Sequence, residues 1–249
     1  MAIPIGDLNP TRRRGIVTLA LIAANVLVFI LWQPWDGGFC EQSAFYAEWG
    51  AIPNEIVEGE PLTQRELNTA VDPRCGINAM PDKSIAVSVL AAMFLHGGWA
   101  HLLGNMLYLF VFGDNVEDRL GRMPYLLFYV ASGVVATVVF AAANPSSTTT
   151  LVGASGAIAG VLGGYLVMYP TAMVRVYIPP FFFVPLPAIL VLGGWFLLQI
   201  YADNLMGQAG AGVAYLAHVA GFIAGMIIVL LLGQRPQRPR LYRTRARRY

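Results

Sequence analysis

The side chains with chemical potential in this sequence are few and uncharged. Its three histidines, His96, His101 and His218, all lie in or beside apolar segments. An ionisable group in such surroundings is expensive to bury and marks a functional site by default. His101 and Asn105 are spaced i, i+4, so a helix carries both on one face, one turn apart, where they can receive negative charge developing on a substrate oxygen. Ser155, in Gly153-Ala154-Ser155-Gly156, follows the polar segment Asn144-Pro145-Ser146-Ser147-Thr148-Thr149-Thr150 and opens an apolar helix. His218 lies three residues before Gly221, and Gly221 with Gly225 forms a small-xxx-small face that admits a close helix neighbour. A nucleophile, a base and an oxyanion site are the parts of a hydrolase, and Ser155, His218 and the His101/Asn105 pair supply those types. No carboxylate lies in the charge-free runs that carry these groups, so the expected machinery is a Ser-His dyad without a third acidic member. Each element also has a plainer reading: a serine N-cap, His and Asn as interhelical hydrogen bonds, and a glycine face for dimerisation.

The elements that must position these groups follow from composition. The chain has 249 residues, 57% hydrophobic and only 12% charged, about half the charge of an ordinary soluble domain. Residues 15–35, 84–113, 123–174, 176–202 and 204–234 contain no Asp, Glu, Lys or Arg. Such runs are the signature of membrane spans and exclude a soluble enzyme, a disordered chain and a folded nucleic-acid-binding domain. Splitting the longest run at residues 144–150 gives six helices, over 15–34, 97–114, 122–143, 155–169, 181–202 and 213–232, in an all-α, polytopic membrane protein. No cleavable signal follows the first run, which is read as a retained span. The helix from Ser155 to Tyr169 covers about 22 Å, too short for a hydrocarbon core of about 30 Å. Its start must lie below the surface, at the bottom of a polar depression formed by the loop before it. Ser84 to Leu95 is shorter still and reads as an interfacial segment.

Arg12, Arg13 and Arg14 precede the first span, and Arg235, Arg238, Arg240, Arg243, Arg245, Arg247 and Arg248 follow the last. Under the positive-inside rule an even number of spans puts both ends in the cytoplasm, together with Arg119, Arg122 and Arg175. The division is a cytoplasmic N-terminus 1–14, a membrane domain 15–232 with an outer loop 36–96, and a basic cytoplasmic tail 233–249, read as an anchor near anionic lipid. The outer loop is acidic, and the net charge of +2 is therefore a cancellation across a bilayer. Cys40 and Cys75 both fall in that loop, where an oxidising exterior permits a bridge and two separate thiols are the alternative.

Three stretches carry a family resemblance: HGGWAHLLGNMLYLFVFGDNVEDRLG (His96–Gly121), GASGAIAG (Gly153–Gly160) and AHVAG (Ala217–Gly221). In order and spacing they resemble the rhomboid intramembrane serine proteases, over roughly residues 80–232. The resemblance implies a six-transmembrane-helix rhomboid-like bundle with the short fourth helix at its centre. It implies Ser155 as nucleophile and His218 as general base and acid. The oxyanion hole would be lined by the Asn105 side chain, His101 and the Ser155 amide, and Glu117 would be structural. The implied substrates are transmembrane proteins, cut in or near their spans where helix is weak. The fifth helix region would be a lateral gate, opening here with Pro179, Pro180, Pro185 and Pro187. Two features depart from the pattern of some members. Ala159 stands where an aromatic ring stacks on the catalytic histidine, and Trp49 is followed by Gly50 in place of arginine.

The expectation is an intramembrane serine endopeptidase that needs no cofactor, acts on transmembrane proteins within a lipid bilayer, and uses neither metal nor nucleic acid. The absence of an HExxH signature argues against a metal site built from the histidines. The alternative is a catalytically silent rhomboid-like pseudoprotease that binds transmembrane clients, and a transporter is weighed below it. A short N-terminus without a transit-type leader points to a bacterial plasma (inner) membrane.

Overall fold

In the computed structural model the described residues are 3–180, 182–206 and 214–237, the side chains of 203–206 excepted. Most of the basic tail, from Arg238 on, therefore lies outside the described residues. The chain is predominantly helical. Its first helix, α1 (Ile16–Leu31), has no side-chain cap of its own. Glu117 supplies one from α6 (Trp99–Leu120): its carboxylate accepts the amides of Val17 at 3.0 Å and Thr18 at 2.8 Å, and the Thr18 hydroxyl at 2.9 Å. Orphan amides at the start of a helix need such an acceptor, which gives Glu117 a structural task.

Between α1 and α6 the chain builds a small lobe from α2 (Phe39–Trp49), α3 (Pro53–Glu58), α4 (Gln64–Ala70), a 3-10 turn (Pro73–Cys75) and α5 (Ile85–Ala92). Ala47, Ile52, Leu62 and Leu67 form its core. Cys40 and Cys75 are joined in a disulfide with Cα atoms 5.1 Å apart, which resolves the two alternatives in favour of the bridge. Lys83 and Glu55 pair at 2.6 Å with both side chains only 3% exposed. Burial pushes the Lys83 ammonium below its usual value, and the hydrogen bond and charge of Glu55 oppose that. Ser84 caps α5, a helix too short to be a span.

Gly121, at φ 85°, turns α6 directly into α7 (Arg122–Ala143). A loop leads to α8 (Ser155–Met168), then to strands β2 (Met173–Ile178) and β3 (Phe182–Pro187), and to α9 (Ala188–Met206) and α10 (Tyr215–Leu231). The N-terminal strand β1 (Ile3–Asp7) pairs antiparallel with β2, and β2 with β3, in the order β1-β2-β3. The protein is thus not all-α. In Met173-Val174-Arg175-Val176 the valines are buried and Arg175 is exposed, the period of a half-buried strand. Pro185 and Pro187 fit the edge strand β3, where a missing N–H breaks no further ladder. The fifth apolar helix accordingly begins at Ala188, later than the expected 181, and the second runs on to Leu120 through Asp114, Glu117 and Asp118.

At the centre is α8, buried on every side from Ala157 to Tyr165. A helix apolar all round must be enclosed, and α6, α7, α9 and α10 enclose it. Its contact with α10 is made of glycine. A Cβ at Gly221 would fall on the Gly156 carbonyl, one at Gly225 on the Gly160 carbonyl, and one at Gly163 on the Phe222 carbonyl. The small-residue face of α10 is therefore engaged within the chain. One helix among the described residues, Arg122–Ala143, is long and apolar enough to cross a membrane by length and composition. Ile16–Leu31, Ser155–Met168, Ala188–Ala202 and Tyr215–Leu231 are apolar but shorter.

Candidate active site

Ser155 is the first residue of α8, and the N-cap position belongs to Ala154, which caps nothing with its side chain. The serine hydroxyl is thereby free for another partner, and the plain N-cap reading of Ser155 does not hold. Its Oγ lies 2.8 Å from His218 Nε2. The approach is a consequence of the glycine seam. Gly156 follows Ser155 and Gly221 lies three residues after His218, so backbones touching at Gly156 and Gly221 bring the two side chains opposite one another.

The loop before α8 is held from above by the small lobe. Ala51 and Leu151 exchange backbone hydrogen bonds at 3.2 and 2.7 Å, the Asn54 amide donates to Ser147 O at 3.0 Å, and the Gly153 amide donates to Ala92 O at 2.8 Å. Gly153 sits at φ 130°, a conformation that favours glycine. The same glycine makes room for His101. A Cβ there would lie 2.9 Å from His101 Nε2 and 3.5 Å from Ser155 Oγ. His101 Nδ1 accepts the Gly97 amide at 3.2 Å, which leaves the proton on Nε2, the nitrogen facing Gly153. One turn further along α6, Asn105 Nδ2 is buried with no hydrogen-bond partner among the described residues. An uncommitted buried donor is rare in native proteins and fits a group waiting for charge that develops only during reaction. A small cavity of about 40 Å³ opens beside Ser155 and Gly156, between Gly153 and Ala217.

The third histidine has a different task. His96 is fully buried with its ring edge-on to His101 at 5.1 Å. Its backbone is clamped by Gln33, which accepts the His96 amide at 2.9 Å and donates to the His96 carbonyl, where the Tyr46 hydroxyl also donates at 3.0 Å. The segment entering α6 is fixed in this way. Among the described residues no group of three His, Cys, Asp or Glu side chains is gathered as a metal site.

One residue of the site was not singled out in the sequence. Gln199 of α9, 7% exposed, places Oε1 at 2.8 Å from His218 Nδ1. Trp195, one turn earlier on α9, lies 5.9 Å from the imidazole, and Tyr215 meets it edge-on at 6.5 Å. These groups surround the ring where Ala159 leaves no aromatic on α8. The available signal was that Gln199 is the lone polar side chain between Ala188 and Ile200 other than the Trp195 indole.

A central buried helix that starts at a serine, with that serine against a histidine of the neighbouring helix, is the core of the candidate site. Comparison with known proteins gives the family: the Rhomboid domain matches residues 84–235, more than half of the chain, and the chain belongs to the rhomboid family. It is similar to Rhomboid-like protein 11, chloroplastic, of Arabidopsis thaliana, 28% identical over 162 residues, covering 59% of this chain and 52% of that protein. It is 33% identical over 144 residues to Rhomboid-like protease 5 of Toxoplasma gondii, covering 56% of this chain and 15% of the relative. To Rhomboid protein 1, mitochondrial, of Saccharomyces cerevisiae it is 27% identical over 169 residues, covering 64% and 46%. The chain spans about half or less of the length of these relatives. Rhomboid proteins are integral membrane proteins, and this chain is one of them. The chloroplastic and mitochondrial names lend no support to the bacterial plasma membrane expected from the sequence.

Proposed function

We propose that this rhomboid protein is an intramembrane serine endopeptidase that cleaves transmembrane proteins in or near their spans. The observation that carries the reading is the 2.8 Å approach of Ser155 Oγ to His218 Nε2 at the start of a buried helix. In the proposed mechanism Ser155 attacks the substrate carbonyl carbon while its proton passes to His218 Nε2. The carbonyl electron pair becomes an oxyanion, received by the Ser155 amide, His101 Nε2–H and the Asn105 side chain. His218 then returns the proton to the leaving amine, and water attacks the acyl-enzyme with His218 again as base. A peptide bond reaches Ser155 only after leaving its helical hydrogen bonds, which favours substrates whose span is weakly helical.

The same reading makes α1, α6, α7, α8, α9 and α10 the six spans. Support comes from large apolar side chains on the outer faces of the five helices other than α8, among them Leu27, Phe110, Leu127, Leu197 and Ile227. It puts residues 1–14 and the tail from 233 in the cytoplasm. The pairing of β1 with β2 is consistent with that orientation, since it requires Ile3–Asp7 and the Arg175 segment to share one side. The small lobe then faces outward, where its disulfide is chemically at home.

The test is cleavage of a model transmembrane substrate by purified protein in detergent or proteoliposomes. Ser155→Ala and His218→Ala should each lower kcat by about 10³-fold or more with the fold intact. Cleavage that persists in Ser155→Ala would remove the serine mechanism. A folded wild type that binds such substrates and never cuts them would favour the client-binding pseudoprotease.

A further inference from the structure

We infer that Gln199 is the positioning residue of the Ser155–His218 pair, an uncharged substitute for the acid of a triad, mounted on a helix separate from the two that carry the dyad. The inference rests on the serine-hydrolase reading and deepens it. A neutral imidazole has one donor and one acceptor nitrogen. To take the serine proton, Nε2 must be the acceptor, so the ring proton must sit on Nδ1 and needs a partner in a buried site. Gln199 Oε1, 2.8 Å away, is that partner. If the Gln199 amide nitrogen faced the ring instead, Nδ1 would be the acceptor, the proton would move to Nε2, and Ser155 would face a donor unable to relieve it of its hydrogen. The 2.8 Å contact to Ser155 is a hydrogen bond in either tautomer, and it is the base role of Nε2 that requires Gln199 to turn its carbonyl oxygen to Nδ1.

During reaction the Ser155 proton moves to Nε2 as its Oγ–C bond forms. The Nδ1 proton stays where it is, donated to Gln199, and no proton reaches the amide. The dipole of an amide carbonyl supports the imidazolium less than a carboxylate would, but it avoids burying a permanent anion at membrane depth. The titratable and polar groups facing the ring are Ser155 of α8, Gln199 and Trp195 of α9, and Tyr215 of its own α10.

Trp195 and Gln199 are spaced i, i+4 and present one face of α9 to the histidine. Two of the groups that surround the imidazole therefore belong to α9. The orienting contact to His218 therefore depends on α9 being seated against α10.

The test compares wild type with Gln199→Leu, Gln199→Met and Gln199→Glu in the purified full chain, using a fluorophosphonate probe and a model transmembrane substrate, with a thermal melt of each variant. Leu, which offers no acceptor, and Met, whose thioether is only a weak one, should lower kcat and the labelling rate at Ser155 by about 10- to 100-fold, with KM within about twofold. Glu should retain activity, and the acid limb of its kcat profile should move to higher pH by about one unit, because a carboxylate holds the imidazolium. A residue that only fills space would leave the pH profile unmoved and lower activity only as far as the folded fraction falls, and that result overturns the proposal. So does wild-type labelling in folded Gln199→Leu, which would leave the hydrolase reading standing alone. A folded wild type that never labels at Ser155 overturns both.

Discussion

α8 and α10 meet backbone to backbone, whereas α9 meets them through side chains. At the first contact a Cβ on Gly163, Gly221 or Gly225 would strike a carbonyl of the facing helix. On α9, Gly193 and Gly194 have nothing within 4 Å of the place a Cβ would occupy. The residue type is the same and its use is opposite. The seam holds Ser155 and His218, whose separation must be kept to tenths of an ångström, on two elements that cannot slide. The orienting acceptor Gln199 rides on an element attached by Trp195, Phe196 and the buried Leu192. Side-chain contacts of that kind can be broken and remade without moving the two backbones that carry the pair.

The most severe way to break this contrast is to put side chains on the seam. Gly163→Leu or Gly225→Leu should abolish folded protein and labelling alike, since neither carbonyl can retreat. Gly163→Ala should already cost about 1–3 kcal/mol or more, read from the thermal midpoint. Removing the Cys40–Cys75 bond should cost about 2–4 kcal/mol of stability, seen as a lowered melting temperature. Well below that temperature the labelling rate at Ser155 should stay within about twofold, because the seam and not the lobe sets the distance to His218. A labelling rate that collapsed in the folded Cys40→Ser/Cys75→Ser variant would transfer that role to the lobe and to its bridge between Ala51 and Leu151.

The far end of α8 offers a pH-dependent check. Asp7 of β1 accepts the Tyr165 hydroxyl at 2.7 Å and the Asn115 amide at 2.8 Å. Burial is the main reason its carboxyl is raised to about 6, with the Tyr165 hydrogen bond opposing and the charge of Asp114 adding to the rise. A carboxyl with a higher pKa when folded than the unfolded value of about 4 binds its proton more tightly in the native state. The stability that Asp7 contributes is therefore fully present below about pH 4 and is lost as pH rises through about 6, up to about 3 kcal/mol in total. Asp7→Asn should flatten that slope in melts or hydrogen exchange of β1 between pH 4 and 8, and should leave the dyad's labelling rate unchanged. The smallest effect belongs to α9: Gly193→Ala and Gly194→Ala should each change stability by no more than about 1 kcal/mol, in the stabilising direction, because helix propensity improves and no atom is displaced.

Much of this contrast could be read in the sequence, and the reasons differ by residue. Ser155 and His218 stood out because polar groups are rare in charge-free runs, and the Gly221/Gly225 face beside His218 pointed to a close helix. Glu117 was recognisable as structural, though not the fact that it caps α1 from another helix. The three-stranded sheet was hidden. Its β2 strand lies inside an apolar stretch where the alternation Val174, Arg175, Val176 passes as one charge between spans, and its partner β1 is at the other end of the chain. Gln199 was hidden because a single amide in an apolar helix carries no sign of which neighbour it faces. Only the placement of α9 against His218 gives it a role.

The most direct measurement of the central claim is mapping of a fluorophosphonate on the purified protein. The account predicts a single modified peptide carrying the probe on Ser155, and no modification in folded His218→Ala. A folded wild type with the probe on another residue or on none, or a Ser155 that labels equally well without His218, would contradict it.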